Sequence, residues 1–112
     1  MRDTFYVYMM TSTNRDSLYI GVTNSLRTRV LQHRRQDGTG FTARYHALLL
    51  VHFESYRDAR AAIARETQLK KWRRGKKDFL IAMKNPTWRD LAPEIVDELP
   101  RIDDAVPPEE MV

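Results

Sequence analysis

The chain has 112 residues, with 19 Lys+Arg against 15 Asp+Glu, no Cys and 42% hydrophobic residues. That length holds one domain with a modest core and excludes a doubly wound sheet with its own substrate domain. The missing cysteines exclude a disulfide framework, a thiolate metal cluster and a cysteine nucleophile.

The formal net charge of +4 hides an asymmetry: residues 94–112 hold seven acidic residues against Arg101 alone, a net −6 that leaves +10 on residues 1–93. A body this basic points to a polyanionic partner, nucleic acid ahead of an anionic membrane surface. No run approaches the ~18 apolar residues of a spanning helix and the N-terminus has no signal-peptide core, so a soluble cytoplasmic protein with no membrane partner is expected.

In chain order, Phe5 to Met10 alternates Tyr6, Tyr8 and Met10 against Phe5, Val7 and Met9, which predicts a strand buried on much of both faces. Leu18 to Thr23 resumes a strand composition after the polar stretch Ser12 to Ser17, so the two form an antiparallel hairpin. Asn24 is placed to cap a helix from Ser25 to about Arg35, ended by Asp37-Gly38, and Leu26, Arg29, Val30 and His33 share one stripe of it. Gly38 to Ala43 reads as a loop. The unbroken apolarity of Leu48 to Phe53 predicts a third strand in a central, covered position.

Residues 57–74 carry the longest helical pattern, with Ala59, Ala62, Ile63, Glu66, Leu69, Lys70 and Arg73 along one face. Gly75 is expected to interrupt it before a second helix from Lys76 to Lys84, whose apolar positions are Phe79, Leu80 and Met83. Asn85-Pro86 ends that helix, and Trp88 to Leu91 docks back as a clasp. Residues 1–93 thus form the domain, in the order β-β-α-β-α-α. Residues 94–112 read as an acidic, proline-containing flexible tail with a short turn near Ile95.

Several chemistries drop out. The four glycines form no phosphate loop, His33, His46 and His52 form no HExxH pattern, and no serine sits in a nucleophile elbow. Glu66 stands out because carboxylates are rarely buried and this one lies among Ala62, Ile63 and Leu69. Two readings stay open: an i,i+4 pair with Lys70, or a metal or catalytic role in which Mg²⁺ takes one carboxylate and completes its shell with waters and phosphate. Arg29 and His33 read either as solvated helix residues or as a phosphate fork with a proton-relaying neighbour. Tyr8 and Tyr19 read either as core tyrosines or, with a pKa lowered by Arg29 or a metal, as groups that deprotonate or orient water. Gly21 removes a side chain where another backbone or a phosphate approaches.

Taken in order, Tyr6-Val7-Tyr8, Tyr19-Ile20-Gly21, Leu26-x-x-Arg29-x-x-x-His33, Phe41-Thr42-Ala43-Arg44-Tyr45, Glu66 and Asn85-Pro86-x-Trp88-x-Asp90-Leu91 resemble the GIY-YIG endonuclease superfamily, in particular its small stand-alone bacterial members. The resemblance covers roughly residues 5–91 and departs in the first motif, where Tyr6 and Val7 replace glycine and isoleucine. It implies an α+β fold with a three-stranded antiparallel sheet flanked by helices. It also implies hydrolysis of DNA phosphodiester bonds with one Mg²⁺ or Mn²⁺, in settings that include DNA repair and recombination.

By the same resemblance Tyr8, Tyr19, Arg29, His33 and Glu66 are the catalytic residues, Glu66 the metal ligand, and Gly21 and Asn85 accessory. Arg44, Tyr45, Lys70, Lys71, Arg73, Arg74, Lys76 and Lys77 are the expected nucleic-acid contacts. The substrate is DNA, branched or structured forms included. With no room for a targeting domain, the expectation is that a protein partner or DNA shape chooses the target, or that specificity is poor. The alternative is a catalytically silent nucleic-acid-binding module of the same fold, supported by the basic run from Arg65 to Lys77 around Trp72.

Overall fold

The computed structural model describes residues 4–35 and 49–95 of the chain. Three strands, β1 (Phe5–Thr11), β2 (Leu18–Thr23) and β3 (Leu49–Tyr56), form an antiparallel sheet in the order β2-β1-β3. The helices are α1 (Leu26–Arg35), α2 (Ala59–Lys70), α3 (Arg74–Lys84) and the short α4 (Ala92–Ile95). This is the expected α+β architecture, with the hairpin in place.

The alternation in β1 sorts the core into two layers. Val7 and Met9 join Ile20, Val51, Ala62, Leu69, Ile81 and Trp88 beneath α2 and α3. Tyr8 and Met10 join Leu26, Val30, Leu50, Ala92 and Ile95 beneath α1 and α4. Each large apolar side chain buried this way contributes about 1.5–3 kcal/mol. Burial continues to Ile95, past Pro93.

Four details differ from the sequence expectation. The central strand is β1, and β3 is an edge. Its apolar run arises because both faces are covered and because Trp88 to Leu91 closes its outer edge, where Leu91 N–H donates to the Leu50 carbonyl at 2.7 Å and Asp90 accepts from Leu50 N–H at 3.1 Å. An irregularity between Met9 and Met10 shifts the β1–β3 register and leaves Val51 as an extra residue, so Val51 and His52 both serve the α2 side.

Ser25, not Asn24, closes α1, its carbonyl accepting from Arg29 N–H at 2.9 Å while its N–H donates to Thr23 Oγ1. Lastly, the helical break falls at Lys71 to Arg73. Asp58 caps α2, Lys71 ends it, and Arg73 in extended conformation starts α3, so Gly75 lies inside α3 with open space around it. That start rotates α3 so that Ile81 is fully buried while Phe79 and Met83 are 67% and 64% exposed.

Candidate active site

Tyr8 sits mid-way along the central strand with Gly21 directly opposite on β2 and Phe53 opposite on β3. A side chain on Gly21 would meet the Tyr8 hydroxyl at 2.6 Å and the Tyr19 ring at 3.0 Å. The group that comes close to this glycine is therefore the Tyr8 phenol, which the missing Cβ lets lie over β2.

From above, α1 brings His33, also buried, so that its Nε2 stands 3.1 Å from the Tyr8 hydroxyl. Tyr8, Tyr19 and His33 form a closed aromatic triangle with ring centroids 5.0–6.0 Å apart. The helical stripe read from sequence places His33 inward with Leu26 and Val30, and Arg29 at its exposed border.

Burial sets the protonation states. It pushes the Tyr8 phenol well above the ordinary tyrosine value, Tyr19 adds to this, Arg29 opposes it, and Glu66 adds a smaller upward push. The expectation of a lowered tyrosine pKa is thus corrected for Tyr8: the Arg29 cation acts in the expected direction and is outweighed by desolvation. Burial, with Arg29 adding to it, lowers the His33 imidazole from 6.5 to about 4. At neutral pH both partners of the Tyr8–His33 contact are uncharged, and Nε2 accepts from the phenol when Nδ1 carries the ring proton.

The same electrostatics place Arg29 and Glu66 within reach of Tyr8 from two different helices. Of the five expected catalytic residues, Tyr8, Tyr19 and His33 are in direct contact, while Arg29 and Glu66 act on Tyr8 through their charge. Glu66 is half-buried, its side chain 21% exposed, and its Oε2 pairs with Lys70 Nζ at 3.0 Å. The i,i+4 pair is real, and it occupies the carboxylate that the metal reading needs. No group of three or more His, Cys, Asp or Glu residues suited to a metal is found among the described residues. A single carboxylate already accepting a cation suits Mg²⁺ or Mn²⁺ with a largely aqueous shell, and does not suit a closed zinc site.

Other expected residues lie elsewhere. Asn85 is buried, and its amide is spent on the backbone: Nδ2 donates to the carbonyls of Val51 and Arg89 and Oδ1 accepts from Arg89 N–H. It holds the turn after α3 to β3. Arg74 is committed to the hairpin loop, donating to the carbonyls of Arg15 at 2.6 Å and Asp16 at 3.2 Å and pairing with Asp78. Lys76 Nζ stands 4.2 Å from the Trp72 ring centre with Arg65 at 5.4 Å, while Lys71 and Arg73 are exposed and Lys77 is partly so. Arg44 and Tyr45 lie outside the described residues.

One polar cluster was missed. Glu54 accepts from Tyr56 at 2.7 Å, from Arg65 Nε at 2.9 Å and Nη2 at 3.1 Å, and pairs with His52 Nε2 at 2.8 Å. Its sequence signal was present as His52, Glu54 and Tyr56 at period two. Arg65, grouped with the basic run, is thereby an anchor of α2 to β3.

Comparison with known proteins places the chain in a family. Residues 4–78 match the GIY-YIG catalytic domain. The chain is 36% identical over 80 residues to a UPF0213 protein of Haloquadratum walsbyi, covering 71% of this chain and 89% of that one. It is also 36% identical over 80 residues to a UPF0213 protein of Clostridium perfringens, covering 71% and 85%. The solution NMR structure of a UPF0213 protein from Bacillus halodurans superposes with a TM-score of 0.50 at 25% identity, covering 76% of this chain and 89% of that one. The chain belongs to the GIY-YIG family of nuclease domains, among its small UPF0213 members.

Proposed function

We propose that this protein is a metal-dependent endonuclease that hydrolyses DNA phosphodiester bonds, branched or structured DNA included, in repair or recombination. The observation that carries the reading is the buried, uncharged Tyr8–His33 contact with Arg29 and Glu66 in electrostatic reach. A merely structural core has no reason to keep an arginine and a glutamate in electrostatic reach of a buried tyrosine packed with a second one on a glycine.

In this reading Arg29, at the exposed border of α1, holds the scissile phosphate in a bidentate fork and offsets the extra negative charge of the pentacovalent transition state. The Tyr8 oxygen accepts a hydrogen bond from the attacking water. As that water loses its proton to the phenol oxygen, the phenol proton passes to His33 Nε2, so neither group has to be ionised beforehand. Tyr19 packs against both rings and fixes their angle. Glu66 would hold Mg²⁺ or Mn²⁺, which when bound supplies charge neutralisation for the phosphate and the leaving oxygen. The exposed Lys71 and Arg73, with Lys77 and the Trp72-bound Lys76, add phosphate contacts that position without reading sequence.

The test is incubation of the purified protein and its Glu66→Ala and Arg29→Ala variants with labelled branched, flapped and duplex DNA and Mg²⁺. The reading expects cleavage by wild type and its loss in both variants. Salt-dependent binding without product under any divalent ion would leave the silent binding module in its place.

A further inference from the structure

Lys70 occupies a position the proposed chemistry does not yet use. Its ammonium stands 3.0 Å from Glu66 Oε2, one helical turn along α2, and its side chain is 55% exposed where that of Glu66 is 21% exposed. Arg65, the neighbouring cation on α2, is turned away to Glu54. The carboxylate that is proposed to hold a divalent ion is thus already neutralised by a monovalent one.

The two cations cannot share that oxygen. An ammonium and a divalent ion at about 4 Å repel even in water, so one must leave when the other enters. The exposed Lys70 stem can swing into solvent, and an exposed i,i+4 pair shifts an equilibrium by only about two-fold. Displacement is therefore cheap enough to be reversible at ordinary metal concentrations.

We propose that Lys70 is the exchangeable counter-ion of Glu66: it holds the carboxylate in the metal-free protein and sets the divalent-ion concentration at which the site loads. The inference rests on the reading of Glu66 as the metal ligand. It makes Lys70 a positioning residue that acts through Glu66 in addition to any contact with DNA. It also keeps Glu66 compensated in the metal-free state, when its charge is felt at Tyr8.

The experiment is Mn²⁺ binding to the full chain, followed by the EPR signal of free Mn²⁺ with no nucleic acid present. Wild type, Lys70→Met, Lys70→Arg and Glu66→Gln are compared, with circular dichroism confirming that each is folded. The expected result is roughly two-fold tighter binding by Lys70→Met, wild-type affinity for Lys70→Arg, and loss of the site in Glu66→Gln. Equal affinity of wild type and Lys70→Met, with Glu66→Gln still losing the site, would overturn the role of Lys70 and leave Glu66 as ligand. Unchanged Mn²⁺ binding in Glu66→Gln would overturn both.

Discussion

Gly21 faces Tyr8 across the β1–β2 pair so closely that a methyl group at position 21 would stand 2.6 Å from the Tyr8 hydroxyl and 2.8 Å from its Cζ. The phenol is packed between Tyr19 and His33 and is 1% exposed, so it has no free direction in which to give way. Gly21→Ala is therefore expected to move the hydroxyl off His33 and lower turnover about 10²-fold. The overpacking should cost roughly 1–3 kcal/mol of stability. Cleavage kinetics beside a urea melt check both, and wild-type turnover in a folded Gly21→Ala would remove Tyr8 from the reaction.

His33 makes stability depend on pH. The unfolded chain binds a proton there near pH 6.5 and the folded protein near pH 4, so acidification across that window favours the unfolded chain. The contribution is complete above about pH 6.5 and falls by on the order of 3 kcal/mol by about pH 4. Urea unfolding of wild type and His33→Gln at about pH 7.5 and 4.5 should give a shallower pH dependence in the variant. Equal slopes would mean that His33 is not held neutral.

Glu54 contributes at lower pH. Burial alone would raise its pKa, but hydrogen bonds from His52, Arg65 and Tyr56 outweigh burial and hold the carboxyl well below the ordinary 4.5. Its stabilisation is present above about pH 4.5 and is lost as pH falls towards the folded value. Glu54→Gln keeps the shape and removes the charge, leaving Arg65 without its ion-pair partner. A cost of about 3 kcal/mol at neutral pH is expected from equilibrium unfolding. A change below 0.5 kcal/mol would show that the cluster is not what ties α2 to β3.

Arg15 and Trp88 both take positive φ, 65° and 56°, and they meet: the Arg15 guanidinium lies 5.1 Å from the Trp88 ring and donates to the Thr87 carbonyl at 2.9 Å. The Arg15 side chain thus helps Arg74 tie the two positive-φ backbones together, joining the hairpin loop to the turn after α3. Arg15→Ala loses the contact and keeps the strain, whereas Arg15→Gly loses the contact and relieves it. Thermal melts should find the glycine variant more stable than the alanine variant by about 0.5–1 kcal/mol. The reverse order would argue against strain at this loop.

Much of this was legible in the residues. The alternation of Tyr6, Tyr8 and Met10 against Phe5, Val7 and Met9 placed the two core layers correctly, because period two admits one assignment of faces. The α1 stripe likewise turned His33 towards Tyr8. The continuous apolar runs were not legible. Leu48 to Phe53 carries no period to reveal its bulge or its edge position, and Phe79 to Met83 gives no sign that Ile81 is the buried residue. The Tyr8 protonation state depends on depth of burial, which spacing does not encode. The reach of Arg74 to the hairpin loop joins residues 58 and 59 positions apart, beyond any local pattern.

The central claim is that the Tyr8 hydroxyl takes part in phosphodiester hydrolysis, and Tyr8→Phe removes that oxygen and little else. The measurement is the single-turnover rate of wild type and Tyr8→Phe at saturating Mg²⁺ and neutral pH, on whichever DNA wild type cleaves best. The account predicts a loss of at least about 10²-fold with DNA affinity and melting temperature close to wild type. Equal rates for the two proteins would contradict it.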